Sequence, residues 1–355
     1  MKYIIPAIAL AVALLASCSG GCRPESAVHD ERRAVYYWKT VFQFDSTDIS
    51  FLRKYDVGRM YVRMFDVCFD SEATGYEEKA YPNASIKFSA CGSPLLCDTT
   101  LDIDFVPVVY ITVDALRAMR EREGVLASNI VTRVRNMCEY NGVPDVRELQ
   151  LDCDWTASTE NSFFSLCDSV RQTIAALDLL WRLSSTIRLH QLSRPAPPVD
   201  RGVLMVYNTG SFSDPDARNS IIDPADVEPY LTHLRAYPLH LDVAYPAYSW
   251  QLLFHHRQFV GLVRNMNLAD TAKFALKNKD VYEAIRDFPF NDRIIHKGDV
   301  VRQETSPYQS IAYIRDMIEK RLSGRPHSNI IYHFDSDNLS NYSSDEIDCI
   351  LSVVR

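Results

Sequence analysis

Along the chain, short runs rich in Val, Ile, Tyr and Phe alternate with stretches whose apolar residues recur every three or four positions. The short runs are Ala34–Phe42 (AVYYWKTVF), Arg59–Val67 (RMYVRMFDV), Phe105–Thr112 (FVPVVYIT) and Glu148–Trp155 (ELQLDCDW). They continue with Thr186–Leu192 (TIRLHQL), Gly202–Asn208 (GVLMVYN), Leu239–Tyr245 (LHLDVAY) and Asn329–Asp335 (NIIYHFD). Most are bounded by Gly, Pro, Asp or Asn, the punctuation of β-strands. Helical spacing picks out Ile49–Tyr55, Asp114–Tyr140, Glu160–Leu183, Asp226–Ala236, Tyr308–Leu322 and Asp345–Val354. In the third of these, Phe163, Leu166, Cys167, Val170, Ile174 and Leu177 line one face. Strands alternating with helices predict parallel pairing, and eight of them predict an α/β fold closed as a single (β/α)8 TIM barrel over residues 34–355. An open doubly wound sheet competes, but no GxGxxG follows the first strand.

One excursion interrupts the alternation. Residues 251–307 lie between the seventh strand and the seventh helix and carry a helix-like stretch of their own, Asp270–Asp287. A βα insertion in such a barrel sits at the C-terminal face, so this segment is expected over the mouth, as a lid or side wall, or else as a structural buttress.

The N-terminal apolar run has a different meaning. Residues 1–17 (MKYIIPAIALAVALLAS) combine one Lys, an apolar stretch and small residues, the layout of a secretory signal and too short for a membrane span. Leu15-Ala16-Ser17-Cys18 is similar to the lipobox of bacterial lipoproteins. That resemblance implies a lipidated Cys18, acyl chains buried in membrane lipid, and a place in the bacterial cell envelope. Residues 18–33 are small, polar and charged and read as a tether.

Composition adds constraints. Of 355 residues, 47% are apolar and 24% charged, an ordinary globular mix. Lys and Arg number 38 against 46 Asp and Glu, a net charge of −8, which argues against a nucleic-acid partner held by phosphate contacts. The nine cysteines show no zinc spacing. Cys91 and Cys97 could close a short loop, whereas Cys138, Cys153, Cys167 and Cys349 sit in apolar stretches and suit a core. No P-loop, GxSxG or HExxH is present, and no cofactor or metal site is expected. The adjacent His255 and His256 suit the surface better than a metal, and His333 with Asp335 has no diagnostic spacing.

Strand periodicity brings out the chemistry, because alternate residues face the helices or the barrel axis. In the fourth strand Leu149, Leu151 and Cys153 suit the helices, leaving Gln150, Asp152 and Asp154 inward. Arg188 and His190 follow in the fifth strand, and His240 and Asp242 in the seventh. Arg63 and Asp66 in the second strand are ambiguous. So many charges inside a barrel require partners, and a buried Arg–Asp network is one reading. The other is a ligand site at the strand ends, where Asp154, His190, Asn208, Tyr245 and Asp335 meet solvent. Carboxylates, histidines and aromatics together suit a polyhydroxylated ligand, a carbohydrate.

Three segments resemble family 18 glycoside hydrolases, the chitinase-like barrels. Asp152-Cys153-Asp154-Trp155-Thr156 matches both Asp of that family's DxDxE signature, with Thr156 where its general-acid Glu would stand. Met205-Val206-Tyr207-Asn208 resembles the family's Met-x-Tyr-Asp, and Pro246-Ala247-Tyr248 its Pro-x-Tyr turn. The LQLDCDW, STIRLHQL, PVDRGVLMVY and IYHFD segments are also similar to the domain of unknown function 3142 family of Bacteroides-type lipoproteins, which implies no established activity. The resemblances imply two alternatives. One is a glycoside hydrolase-like enzyme with Asp154 as acid, supported by Asp152, Tyr207 and Asp242. The other is a non-catalytic glycan-binding or structural envelope protein that has lost the acid. Trp155, Arg188, His190, Asn208, Tyr245, Tyr248, His333 and Asp335 are the candidate ligand contacts. Glu160, four residues beyond Thr156, reads as a solvated first-turn carboxylate.

Overall fold

The computed structural model describes residues 31–72, 79–89, 100–143 and 145–354. The signal segment, Cys18, Cys22, Cys91 and Cys97 lie outside the described residues.

Eight parallel strands close a barrel: β1 Arg33–Tyr37, β2 Val57–Phe69, β3 Asp104–Ile111, β4 Glu148–Asp152, β5 Arg182–Arg188, β6 Arg201–Met205, β7 Leu241–Pro246 and β8 His327–Tyr332. Each pairs with its sequence neighbours, and β1 pairs with both β2 and β8, so the ring has no free edge. The main helices are α1 Ser46–Lys54, α2 Val113–Ala118, α3 Glu123–Tyr140, α4 Glu160–Ala176 and α5 Tyr308–Leu322.

Two hydrophobic layers follow from the pleat. Leu149, Leu151 and Cys153 of the β4 region, with Leu241, Val243 and Tyr245 of β7, pack outward against the helices. Ala34, Tyr36, Tyr61, Val106, Val108, Val203, Met205, Ala244 and Ile330 fill the axis. Cys138, Cys153 and Cys167 are buried, as expected of core thiols, while Cys349 is half-buried.

Several element boundaries differ from the periodicity. The β5 strand ends at Arg188, and Leu189–Ser193 turns into a 3-10 helix. Asp114–Tyr140 is two helices, separated at Glu121, whose φ is +67°. Pro229 divides Asp226–Ala236 into a single α-turn, Pro224–Val227, and a 3-10 helix, Tyr230–Ala236.

The insertion contradicts its helical reading. It is a five-stranded antiparallel sheet of Trp250–His255, Gln258–Val263, Phe274–Asn278, Val281–Ala284 and Val300–Glu304, with a small ribbon, Phe288–Phe290 and Arg293–Ile295. Asp270–Asp287 contains a hairpin whose turn uses Asp280 at φ +62°. Leu253, Val263, Phe274, Phe288, Ile295 and Val301 give the sheet a core of its own. Its stem is tied to the loop after β6: Ser220 and Trp250 both donate to Glu304, at 2.5 and 2.6 Å, and Asn219 donates to the Thr305 carbonyl at 2.8 Å.

Candidate functional site

The C-terminal ends of the strands converge on Arg188, the last residue of β5. Its guanidinium donates through Nη2 to Asp152 at 3.0 Å, through Nη1 to the Tyr207 hydroxyl at 3.0 Å, and through Nε to Asp154. Asp152, at the end of β4 and 1% exposed, also accepts from the Thr186 hydroxyl at 2.6 Å. Burial works against the charge on Arg188, but Tyr207 and the two carboxylates outweigh it and keep the group protonated. Burial pushes the Asp152 carboxyl up from its ordinary range, against the pull of Arg188. It likewise pushes the Tyr207 hydroxyl up to about 12.

Aromatic rings surround this clamp. Tyr207 stacks on Tyr332, with centroids 4.1 Å apart and planes at 18°. Trp38 leans on Tyr332 at 5.5 Å, and the Arg63 guanidinium lies over Trp38 at 5.4 Å. Tyr248 meets Tyr207 edge-on at 6.2 Å and donates its hydroxyl to Asn208 at 2.9 Å. His333 stacks on Tyr248 at 6.3 Å, and burial pushes its imidazole down from its ordinary value. Deeper, Tyr36 donates to Gln150 at 2.7 Å and stacks on Tyr61.

Each carboxylate of the mouth has a cation. Arg188 holds Asp152 and Asp154, Arg63 forks onto Asp66, and Lys39 pairs with Asp335 at 3.1 Å. Burial works against the ionised Asp335, but the Asn338 N–H and Lys39 hold it below the usual range. Thr156 is exposed, and its hydroxyl meets Ser158 at 3.0 Å. Ion-paired carboxylates accept hydrogen bonds and do not supply protons, so the arrangement suits recognition of hydroxyl groups beside aromatic faces.

Asp152, Asp154, Arg188, Tyr207, Asn208, Tyr248, His333 and Asp335 therefore gather at one end of the barrel. Four candidates do not. Asp242 lies near the start of β7, at the opposite end, where it binds Arg201 and accepts from the Ser328 N–H at 2.8 Å. Trp155 is fully buried against Phe163 and Phe164 in the helix layer, and Tyr245 is also buried in that layer. Both share the parity of their strands' outward residues, which already excludes them from the axis. His190 is exposed on the 3-10 turn because the strand ends two residues before it. Glu160 pairs with Arg194 at 2.8 Å in the first turn of α4.

Trp38, Tyr36, Tyr110 and Tyr332 are the aromatic residues of this end that sequence reasoning missed. Parity with Ala34 and Ile330 was the available signal for Tyr36, Trp38 and Tyr332. Arg63 and Asp66 resolve as an ion pair at the rim. Among the described residues, no group of three or more His, Cys, Asp or Glu is arranged to hold a metal ion. His255 instead binds Asp299 at 2.6 Å in the insertion.

No family model and no curated protein sequence matches this chain. Among solved structures it is similar to a chitinase from Chromobacterium violaceum ATCC 12472, with 12% identity and a TM-score of 0.52 over 87% of this chain and 97% of that one. It is also similar to the C-terminal domain of a candidate chitinase from Desulfitobacterium hafniense DCB-2, with 9% identity and a TM-score of 0.54 over 91% and 99% of the two chains. At these identities the likeness is one of fold: the chain shares the (β/α)8 barrel of chitinase structures.

Proposed function

We propose that this protein is a cell-envelope lipoprotein, of the domain of unknown function 3142 type, whose barrel mouth binds a glycan without cleaving it. The observation that carries this reading is the Arg188 clamp. One guanidinium engages both Asp152 and Asp154, while an exposed Thr156 stands where the resemblance calls for a general acid. Glycoside hydrolysis ordinarily needs a protonated carboxyl at the leaving oxygen. Half-buried Trp38 and Tyr248 offer ring surface beside the buried Tyr207–Tyr332 stack, and Asn208 and Asp154 offer acceptors, the equipment for holding sugar hydroxyls and their C–H faces.

Asp152 favours a second reading. Burial raises its carboxyl, and a raised carboxyl is what an acid catalyst requires. A hydrolase-like enzyme would have Asp154 and Asp152 act together once a ligand displaced Arg188.

A glycan array, paired with an oligosaccharide turnover assay on the wild type and Asp154→Asn, separates the two. The binding reading expects retention of at least one glycan by the wild type and no turnover by either protein. Turnover lost on Asp154→Asn would establish the enzyme instead. Absence of both binding and turnover across N-acetylated and envelope-derived sugars would remove the carbohydrate reading.

A further inference from the structure

We infer that Gln191 is the positioning residue of the Arg188 clamp, the side chain that keeps Asp154 and Arg188 within reach of each other. The inference rests on the glycan-binding reading of the mouth and deepens it, because it names what holds that site assembled.

Gln191 belongs to the 3-10 turn that follows β5. β4 and β5 are last paired at Leu151 and Ser185, so the ladder between them stops short of Asp154 and Arg188. In a 3-10 turn residues three apart lie over one another, which brings the Gln191 side chain back above Arg188. Its Oε1 accepts from the Arg188 N–H at 2.8 Å. Its Nε2 donates to the Trp155 carbonyl at 2.9 Å and to the Cys153 carbonyl at 3.4 Å. Asp154 is thus gripped through the backbone on both of its sides, and Arg188 through its own N–H. One side chain stands in for the missing rungs between two strand ends.

The residue type follows from these partners. Two carbonyls and one N–H call for a group that donates and accepts; a carboxamide does both, whereas an ionised Glu only accepts and Lys only donates. Gln191 is fully buried, so without it those backbone groups would lose their partner where water does not replace it. Trp155, packed against Phe163 and Phe164, anchors the far side of the grip in the helix layer. Burial also keeps Gln191 away from a ligand in the mouth. It acts through the backbone that carries Asp154 and Arg188, and the guanidinium meets Asp154 through Nε from a fixed start. Preorganisation of this kind is what a loosely held site lacks.

The test reads the Arg188 Nε–H resonance in protein carrying isotopically labelled arginine, assigned by its loss in Arg188→Lys, and needs no ligand. Gln191→Met keeps the volume and removes the hydrogen bonds, and Gln191→Asn keeps the amide on a stem one methylene shorter. Thermal melts check their folding. Asn329→Ala, at a buried β8 position that donates to Ser352 at 2.9 Å, is the control for destabilisation away from the clamp. In both Gln191 variants the resonance is expected to shift and its exchange with water to quicken about tenfold, the worth of one hydrogen bond, while Asn329→Ala leaves it in place. Titration with the N-acetylglucosamine tetramer is expected to show binding weakened about tenfold in the same two variants. A resonance that stays put in a folded Gln191 variant, an equal change in Asn329→Ala, or failure of both Gln191 variants to fold overturns the positioning role and leaves the mouth reading intact. A moved resonance with unchanged tetramer affinity overturns the link between the clamp and the ligand. No tetramer binding by the wild type counts against the mouth reading, and the resonance still decides whether Gln191 holds the clamp.

Discussion

Asp152 and Asp242 are both buried aspartates on barrel strands, and their neighbours give them opposite characters. Asp152 shares Arg188 with Asp154, and burial raises its carboxyl. Burial also works against the charge on Asp242, but Arg201, His240 and the Ser328 N–H hold that carboxyl far below the usual range. A depressed folded-state value contributes stability above the unfolded carboxylate range, near pH 4, and loses it as pH falls further. Asp242→Asn is therefore expected to cost about 3–5 kcal/mol at pH 7, the range for breaking a buried ion pair. The deficit against wild type should shrink as the pH drops from roughly 5 toward 2. Urea unfolding at several pH values reads this directly, and a deficit that stayed constant through acid would show that Asp242 acts by packing alone.

Elements were legible where one face of the period was buried and illegible where the backbone turned. The facing of β4 was readable, because Leu149, Leu151 and Cys153 against Gln150 and Asp152 allow one orientation, although the strand ends at Asp152 and not at Trp155. The β5 end was not, since LHQL alternates like a strand while closing a 3-10 turn. The insertion differs from its helical reading because Ala275, Leu276 and Lys277 suit a helix locally, whereas their strand pairs with Val281–Ala284, which pairs in turn with distant Val300–Glu304. The clamp was partly legible. Inward parity named Asp152, Asp154 and Arg188, but no spacing predicts that one arginine reaches both aspartates. The α5 helix shows a smaller economy of the same kind. It ends on Ser323 at φ +53°, a left-handed position that favours glycine, with Gly324 following at φ +77°. Ser323→Gly is expected to stabilise the protein by about 0.5–1 kcal/mol. A thermal midpoint that fell on this substitution would mean that the Ser323 hydroxyl, which bonds the Lys320 carbonyl at 3.4 Å, outweighs the backbone strain.

At the scale of the whole molecule, the anchoring proposed above would decide where the barrel works. On the lipoprotein reading, Cys18→Ala should move the protein from the membrane fraction to the soluble fraction or leave its signal uncleaved. Mass spectrometry of the wild-type N-terminal peptide should find acyl chains on Cys18. An unmodified Cys18 in membranes that retain the Cys18→Ala protein equally well would end that reading.

The chain enters the barrel at the end opposite Arg188. Glu31 lies beside His240, Arg33 pairs with Asp348 at 2.7 Å, and β1 then runs toward Trp38. On the lipoprotein reading, an attachment upstream of Glu31 would hold the barrel by its floor. The aromatic ring of the mouth would then look outward from the bilayer, like a cup held by its base. On that reading such a cup would meet polymers arriving from beyond the membrane and turn its back on the lipid headgroups beneath it.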